Sequence, residues 1–197
     1  MLSTSSIKFY DRFSKLYPIV DVFLRPQKRR LFEEINLLDH GKLLEIGVGN
    51  GTHLGLYKKH ALIGIDTSKS MLSKAIDYAT QEMQLLHMSG EQLEFEDHCF
   101  DYIVLSHVIA VVEHPEKMLE ECCRVLKKDG SLILLNHFTP NNFLGYIDRA
   151  FQLFSPIFHF KSAFYLKDLK ALKKIELKEQ IHFSRLRYFK LLIYKKP

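Results

Sequence analysis

No stretch of this chain is apolar for long enough to cross a bilayer. The longest run, Ile103 to Val112, is broken by Ser106 and His107 and falls well short of the ~18 residues a spanning helix needs. The opening Met1-Leu2-Ser3-Thr4-Ser5-Ser6 has neither a basic n-region nor an apolar h-region, so no secretory signal is expected. Cysteine is scarce and odd in number. Of the three, Cys122 and Cys123 are adjacent, a spacing that rarely closes on itself, which argues against a disulfide framework and sets a reducing cytoplasm as the expected location. Internal repeats and low-complexity tracts are also missing. What remains is 197 residues with 47% apolar content, the profile of a single globular domain with a sizeable core.

Charge is unevenly distributed. Residues 1–30 carry seven Lys/Arg against two Asp/Glu, and residues 161–197 carry eleven against three, while the middle carries ten against eighteen. Basic ends on an acidic body suit an anionic lipid surface, a phosphate-bearing substrate or nucleic acid; they equally suit a solubilising surface.

From residue 42 onward strand and helix patterns alternate, which predicts an α/β fold with a mainly parallel sheet. Strands are expected near 43–47, 61–65, 84–87, 101–106 and 131–137, and helices over 51–59, 68–79 and 115–126. Asp66-Thr67-Ser68 offers caps to the second helix, whose apolar stripe is Met71, Leu72, Ala75 and Ile76. Pro115 opens the third, and Lys127-Lys128-Asp129-Gly130 is expected to close it, with cations at the negative end and glycine beyond. A helical segment is expected before residue 42. Thr139-Pro140-Asn141-Asn142 breaks the alternation. Two late runs, 174–183 and 188–194, read as a closing antiparallel pair.

The densest signal is Leu43-Leu44-Glu45-Ile46-Gly47-Val48-Gly49-Asn50-Gly51-Thr52. Glycines at every second position let the backbone turn sharply and approach a ligand. Asp66 ends the next apolar run, where a carboxylate suits a ribose diol. Together they describe a nucleoside-binding βαβ unit. A nicotinamide dinucleotide fingerprint would need glycine in a G-x-G-x-x-G pattern, and the last position here is Thr52.

With Phe100-Asp101-Tyr102-Ile103-Val104 before the fourth strand and Leu126-Lys127-Lys128-Asp129-Gly130-Ser131 before the fifth, the chain resembles the class I S-adenosylmethionine (SAM)-dependent methyltransferases from about residue 8 to its end. The resemblance implies a Rossmann-like, seven-stranded, mostly parallel sheet with an antiparallel last strand, flanked by helices. It implies SAM as cofactor and no metal. Gly47, Gly49 and Gly51 would then hold the methionine part and ribose, and Asp66 the ribose hydroxyls. Glu45 would either orient the loop or meet the ligand's amino group, or else satisfy loop N–H groups. For adenine, the resemblance expects an Asp where Ser89 stands; its hydroxyl, the Gly90 N–H or Glu91 would substitute. Thr67 and Met71 would flank the base, and Ser106 would line the pocket.

Tyr10-Asp11, Tyr17, His107-Val108-Ile109-Ala110-Val111-Val112 and Asn136-His137 are similar to the soluble bacterial phosphatidylethanolamine N-methyltransferases. That narrower resemblance implies a lipid amine as acceptor, with a soluble small-molecule N-, O- or C-methyltransferase or a non-catalytic SAM-binding regulator as the other readings. Nucleic acid is not expected, since no Asn/Asp-Pro-Pro-aromatic motif is present. An amine must lose its proton before it attacks, at a cost of about 4–5 kcal/mol for a lysine-like group at pH 7, so a base is required. The candidates are His107 and His137, with Tyr10 as a catalytic partner and Tyr17 and His107 also against the cofactor; each histidine is otherwise a satisfied strand-end group. Residues 1–35 are expected to form a lid helix and 138–165 an acceptor-side insertion, with Phe143, Tyr146, Ile147, Phe151, Phe154 and Phe158 packing in the core or facing a membrane. Arg149 and Lys161 suit a phosphate. Lys8, Arg12, Lys15, Arg25, Lys28, Arg29 and Arg30 make a basic face suited to the anionic inner surface of a membrane.

Overall fold

The computed structural model describes residues 17–138, 166–183 and 189–197, with side chains from residue 26 onward except that of Lys167. The expected lid core at 139–165 and Tyr10 lie outside the described residues. Helix α1 (Tyr17–Leu37) precedes β1 (Lys42–Ile46), β2 (Ala61–Asp66), α2 (Lys69–Ala75), β3 (Gln84–His87), β4 (Phe100–Ser106), α3 (Pro115–Val125), β5 (Leu126–His137), β6 (Glu176–His182) and β7 (Phe189–Lys195). These strands make one sheet in the order β3-β2-β1-β4-β5-β7-β6. β1 to β5 run parallel, and β7 lies antiparallel between β5 and β6.

Helices cover both faces, which explains why adjacent leucines are both buried. Leu43 joins Leu31, Phe32 and Ile35 of α1 on one side. Leu44 joins Ile103, Leu105, Leu119 and Cys122 on the other. Each fully buried Leu or Ile contributes roughly 1.5–3 kcal/mol from the apolar area removed from water. The sheet is therefore rigid where its strands end, and those ends carry the site.

Two expectations are corrected. The helix expected over 51–59 is a single 3-10 turn, Leu54–Leu56, because Gly51 is left-handed with φ 71° and Gly55 adds about 1 kcal/mol of helix penalty. The run Lys127–Gly130 does not close α3, which ends at Val125; it lies within β5, where Asp129 is left-handed with φ 59°. Gly130 serves close approach instead, since a Cβ there would lie 2.9 Å from the Lys127 carbonyl and 3.0 Å from that of Asp101. The basic face on α1 is also partly offset, as Arg29 pairs with Glu33 at 3.0 Å and Arg30 pairs with Glu34.

Arg124 on α3 fastens the segment between β3 and β4. Its guanidinium donates to the Leu93 and Phe95 carbonyls at 2.9 and 2.8 Å, to Asp97 at 2.7 Å, and to both Glu121 oxygens at 2.8 Å. Glu121 in turn accepts from the Leu93 N–H at 2.8 Å. Hydrogen bonds to charged groups contribute ~1.5–3 kcal/mol each when a partner is left unsatisfied, and the side chain is 31% exposed, which screens them. Arg124→Ala is expected to lower the unfolding free energy by about 2–3 kcal/mol. Arg124→Lys, lacking the planar fork, should recover less than half of that loss; denaturant melts measure both.

Candidate active site

In a sheet of this order the direction of winding reverses between β1 and β4, and a crevice opens at their carboxyl ends. The loop leaving β1 lies there. Gly49 is left-handed with φ 57°, and a Cβ built on it would meet nothing within 4 Å, so the backbone presents a bare surface. At Gly51, also left-handed, a Cβ would sit 2.6 Å from the Ala75 Cβ and 2.7 Å from its Cα. One glycine keeps the cradle open and the other lets it seat against α2.

Asp66 ends β2 and reaches under this loop. Its Oδ2 accepts from the Gly49 N–H and its Oδ1 from the Ser68 N–H, both at 2.8 Å. Burial pushes the carboxyl pKa up; the Ser68 and Gly49 N–H groups pull it back, and the Glu45 charge adds to the rise. Each oxygen keeps a further lone pair for a ligand. The carboxylate satisfying loop N–H groups is thus Asp66, not Glu45. Glu45 turns toward His53, whose Nε2 lies 2.8 Å from Oε1.

The next strand end continues the wall. The Met88 N–H donates to the Asp66 carbonyl at 3.1 Å, bringing Ser89 and Gly90 beside Asp66 and Thr67. Ser89 Oγ accepts from the Glu91 N–H at 3.2 Å. Glu91 Oε1 accepts from the His114 N–H at 3.0 Å, so one of its oxygens holds the start of α3. The Thr67 carbonyl is 3.0 Å from a ring nitrogen of His87. Met71 is buried in the first turn of α2, its N–H bonded to the capping Ser68 hydroxyl at 3.3 Å.

Ser106 and His107 close the opposite wall. His107 is left-handed with φ 58°, a conformation that costs a non-glycine residue about 1–3 kcal/mol and collects at functional sites. Its N–H donates to the Leu135 carbonyl at 2.7 Å. Its ring meets Phe189 edge-on at 5.7 Å, and Phe189 lies opposite His137 in the β5–β7 register. His137 thus shares a register position with the ring that His107 meets, and Nε2 of each histidine is buried. Asn136, fully buried, donates to the His137 carbonyl at 2.7 Å. Tyr17 opens α1, and its side chain lies outside the description.

Sequence reasoning missed His53, Tyr57 and Phe189. The first two fell in the helix expected over 51–59. Phe189 is one apolar residue in a strand far along the chain, and no local pattern ties it to His107.

Comparison with known proteins places this geometry. A family model for a methyltransferase domain matches residues 44–134. The chain is 32% identical over 165 residues to phosphatidylethanolamine N-methyltransferase of Cereibacter sphaeroides, with 80% of each chain covered. It is 26% identical over 145 residues to demethylmenaquinone methyltransferase of Thermotoga maritima, covering 69% of this chain and 63% of that one. A solved SAM-dependent methyltransferase from Thermotoga maritima shares the fold, with a TM-score of 0.74 at 22% identity, covering 96% of this chain and 99% of that one.

Proposed function

The chain belongs to the class I SAM-dependent methyltransferases, and from that premise we propose that its acceptor is the amine of phosphatidylethanolamine or a related lipid. The observation that carries this reading is His107 against the Phe189 ring with His137 opposite Phe189 in the strand register, in a chain 32% identical to a phosphatidylethanolamine N-methyltransferase. The demethylmenaquinone relative favours a second reading, a small-molecule acceptor.

The residues fit the cofactor. The open face at Gly49 leaves room for a ligand against backbone, and a buried Glu45 oxygen lacks a donor. In this reading the Gly47–Gly51 loop holds the amino-acid arm and ribose, and Asp66 accepts from the ribose hydroxyls with its remaining lone pairs. Ser89 and the Gly90 N–H meet the adenine edge, Thr67 and Met71 flank it, and Ser106 lines the pocket. Glu91, with one oxygen on His114, contributes at most the other.

Bound SAM supplies a methyl group on a sulfonium. The chain's own task is to hold the acceptor in line, which alone lowers a barrier by several kcal/mol, and to take the proton from its ammonium. His107 or His137 accepts that proton at a ring nitrogen, acting as general base while the amine attacks. Tyr10 and Tyr17 orient the amine through hydroxyl and π contacts.

No described helix is long and apolar enough to cross a membrane. The basic ends supply attraction worth about 1 kcal/mol per charge near anionic lipid, reduced where Arg29 and Arg30 pair on their own helix. Incubation with labelled SAM and a bacterial lipid extract is expected to label methylated phosphatidylethanolamine. Flotation with anionic vesicles should show binding that weakens as salt rises. Label confined to the aqueous phase or to a quinone fraction would replace the lipid-amine reading with the second one.

A further inference from the structure

One contact joins the glycine loop to the wall that carries His107. His107 is left-handed with φ 58°, and its N–H is fixed to the Leu135 carbonyl at 2.7 Å. From there the chain passes from the end of β4 onto the loop leaving β1. Val108 fills the space where a side chain on Gly47 would stand: a Cβ built on that glycine would lie 2.6 Å from Val108 Cγ2 and 3.2 Å from Val108 Cβ. Gly47 is itself left-handed with φ 82°. Its bare Cα faces the valine, unlike that of Gly49, where a Cβ would meet nothing within 4 Å.

Both sides of this contact are anchored. The Ile65 carbonyl accepts from the Gly47 and Val48 N–H groups at 2.8 and 3.2 Å. Beyond Val108, the Val111 N–H donates to the Val108 carbonyl at 3.0 Å and closes a turn. Ile109 and Ala110 in that turn are buried and share a core cluster with Met118 and Leu119 of α3. A β-branched side chain has little χ1 freedom, and close-packed groups transmit a displacement rather than absorb it. Val108 is therefore a stiff spacer between two fixed bodies, the loop that holds the donor and the strand end that carries His107. The chemistry above leaves it unused.

We propose that Val108 is a positioning residue for methyl transfer: seated on Gly47, it sets the separation between the donor loop and the acceptor held beside His107. The inference rests on the placement of donor and acceptor given above and holds for either acceptor. A misplacement of about 1 Å between reacting groups costs on the order of 10²-fold in rate. Without the spacer the loop keeps its own supports, because the Gly47 and Val48 bonds to Ile65 and the Gly49 bond to Asp66 do not involve Val108. The signature is a fall in turnover without a matching fall in cofactor affinity.

Val108→Ala removes both γ carbons and is expected to lower kcat by roughly 10–100-fold, while the Kd for S-adenosylhomocysteine, measured by titration calorimetry on the full chain, changes by less than about 3-fold. Val108→Thr keeps the branched shape at a half-buried position and should recover most of the turnover. Turnover is read from labelled SAM with phosphatidylethanolamine in phosphatidylglycerol vesicles, or with demethylmenaquinone if the parent labels only that. Failure of the lipid reading then shows in the parent, and failure of this one in the variants alone. Amide exchange needs no acceptor: Val108→Ala should speed exchange at Gly47 and Val48 by about 10-fold, as the loop opens more often. Thermal melts check that each variant is folded. Equal losses of kcat and affinity, parent-like kcat, or parent-like exchange would each overturn the proposal.

Discussion

Gly51→Ala should unfold well below the parent and lose measurable affinity for S-adenosylhomocysteine. The left-handed conformation at φ 71° costs an L-residue about 1–2 kcal/mol. The new methyl group would sit 2.6 Å from the Ala75 Cβ and 2.7 Å from its Cα. The obstacle is helix backbone that cannot rotate aside, so overpacking adds about 1–3 kcal/mol. A total near 3 kcal/mol is a large share of the ~5–15 kcal/mol that holds a domain together. For a chain of this size it lowers Tm by roughly 6–12 °C. Relief comes only by pushing the loop off α2, which moves Gly49 and its bond to Asp66. Gly49→Ala is the paired control: it meets nothing within 4 Å, so stability should fall by only about 1 kcal/mol while the methyl group still enters the cradle and weakens binding. Melting and calorimetry on the two variants separate the loop's seat from its ligand face. Parent-like melting of Gly51→Ala would show that α2 yields and that the contact is not decisive.

The second large effect concerns the proton. A positioned general base contributes about 10²–10⁴-fold to rate, so replacing the histidine that serves should lower kcat by that order at pH 7 while leaving the Kd for S-adenosylhomocysteine within a few-fold. His107→Gln and His137→Gln together identify it. The two differ in surroundings: His107 holds a strained φ of 58° after β4, whereas His137 is the last residue of β5, its carbonyl tied to Asn136. For the variant that removes the base, rate should rise steeply with pH, because free amine is then supplied only by solution. If neither substitution lowers kcat by more than tenfold, deprotonation does not depend on these side chains.

Arg124, which donates from α3 to Leu93, Phe95 and Asp97, shows how the sheet's ends are held in place by side chains distant in sequence. Phe189 reaches His107 only because β7 inserts antiparallel between β5 and β6. Such contacts leave no periodic trace. Which carboxylate meets the loop N–H groups was open for the same reason: Glu45 stands one residue before the end of β1, Asp66 ends β2, both are acidic, and only the packed loop shows that it is Asp66. The error over 51–59 has a different origin. With Gly51 left-handed, the segment closes only i→i+3 bonds, from Leu54 to Gly51, Leu56 to His53 and Tyr57 to Leu54, and no α-helix follows.

Local pattern was enough for the α/β alternation and a mainly parallel sheet, and the motifs carried the resemblance that names the donor. Apolar runs of strand length, helix stripes between them and glycines at 47, 49 and 51 followed by Asp66 are short-range signals, each set by the conformation of a few consecutive residues. The arrangement around Glu45, the contact of Phe189 with His107 and the clamp at Arg124 belong to the folded molecule alone. They depend on burial, which removes water as an alternative partner, and on which distant side chains the sheet brings within about 3 Å, the reach of a hydrogen bond.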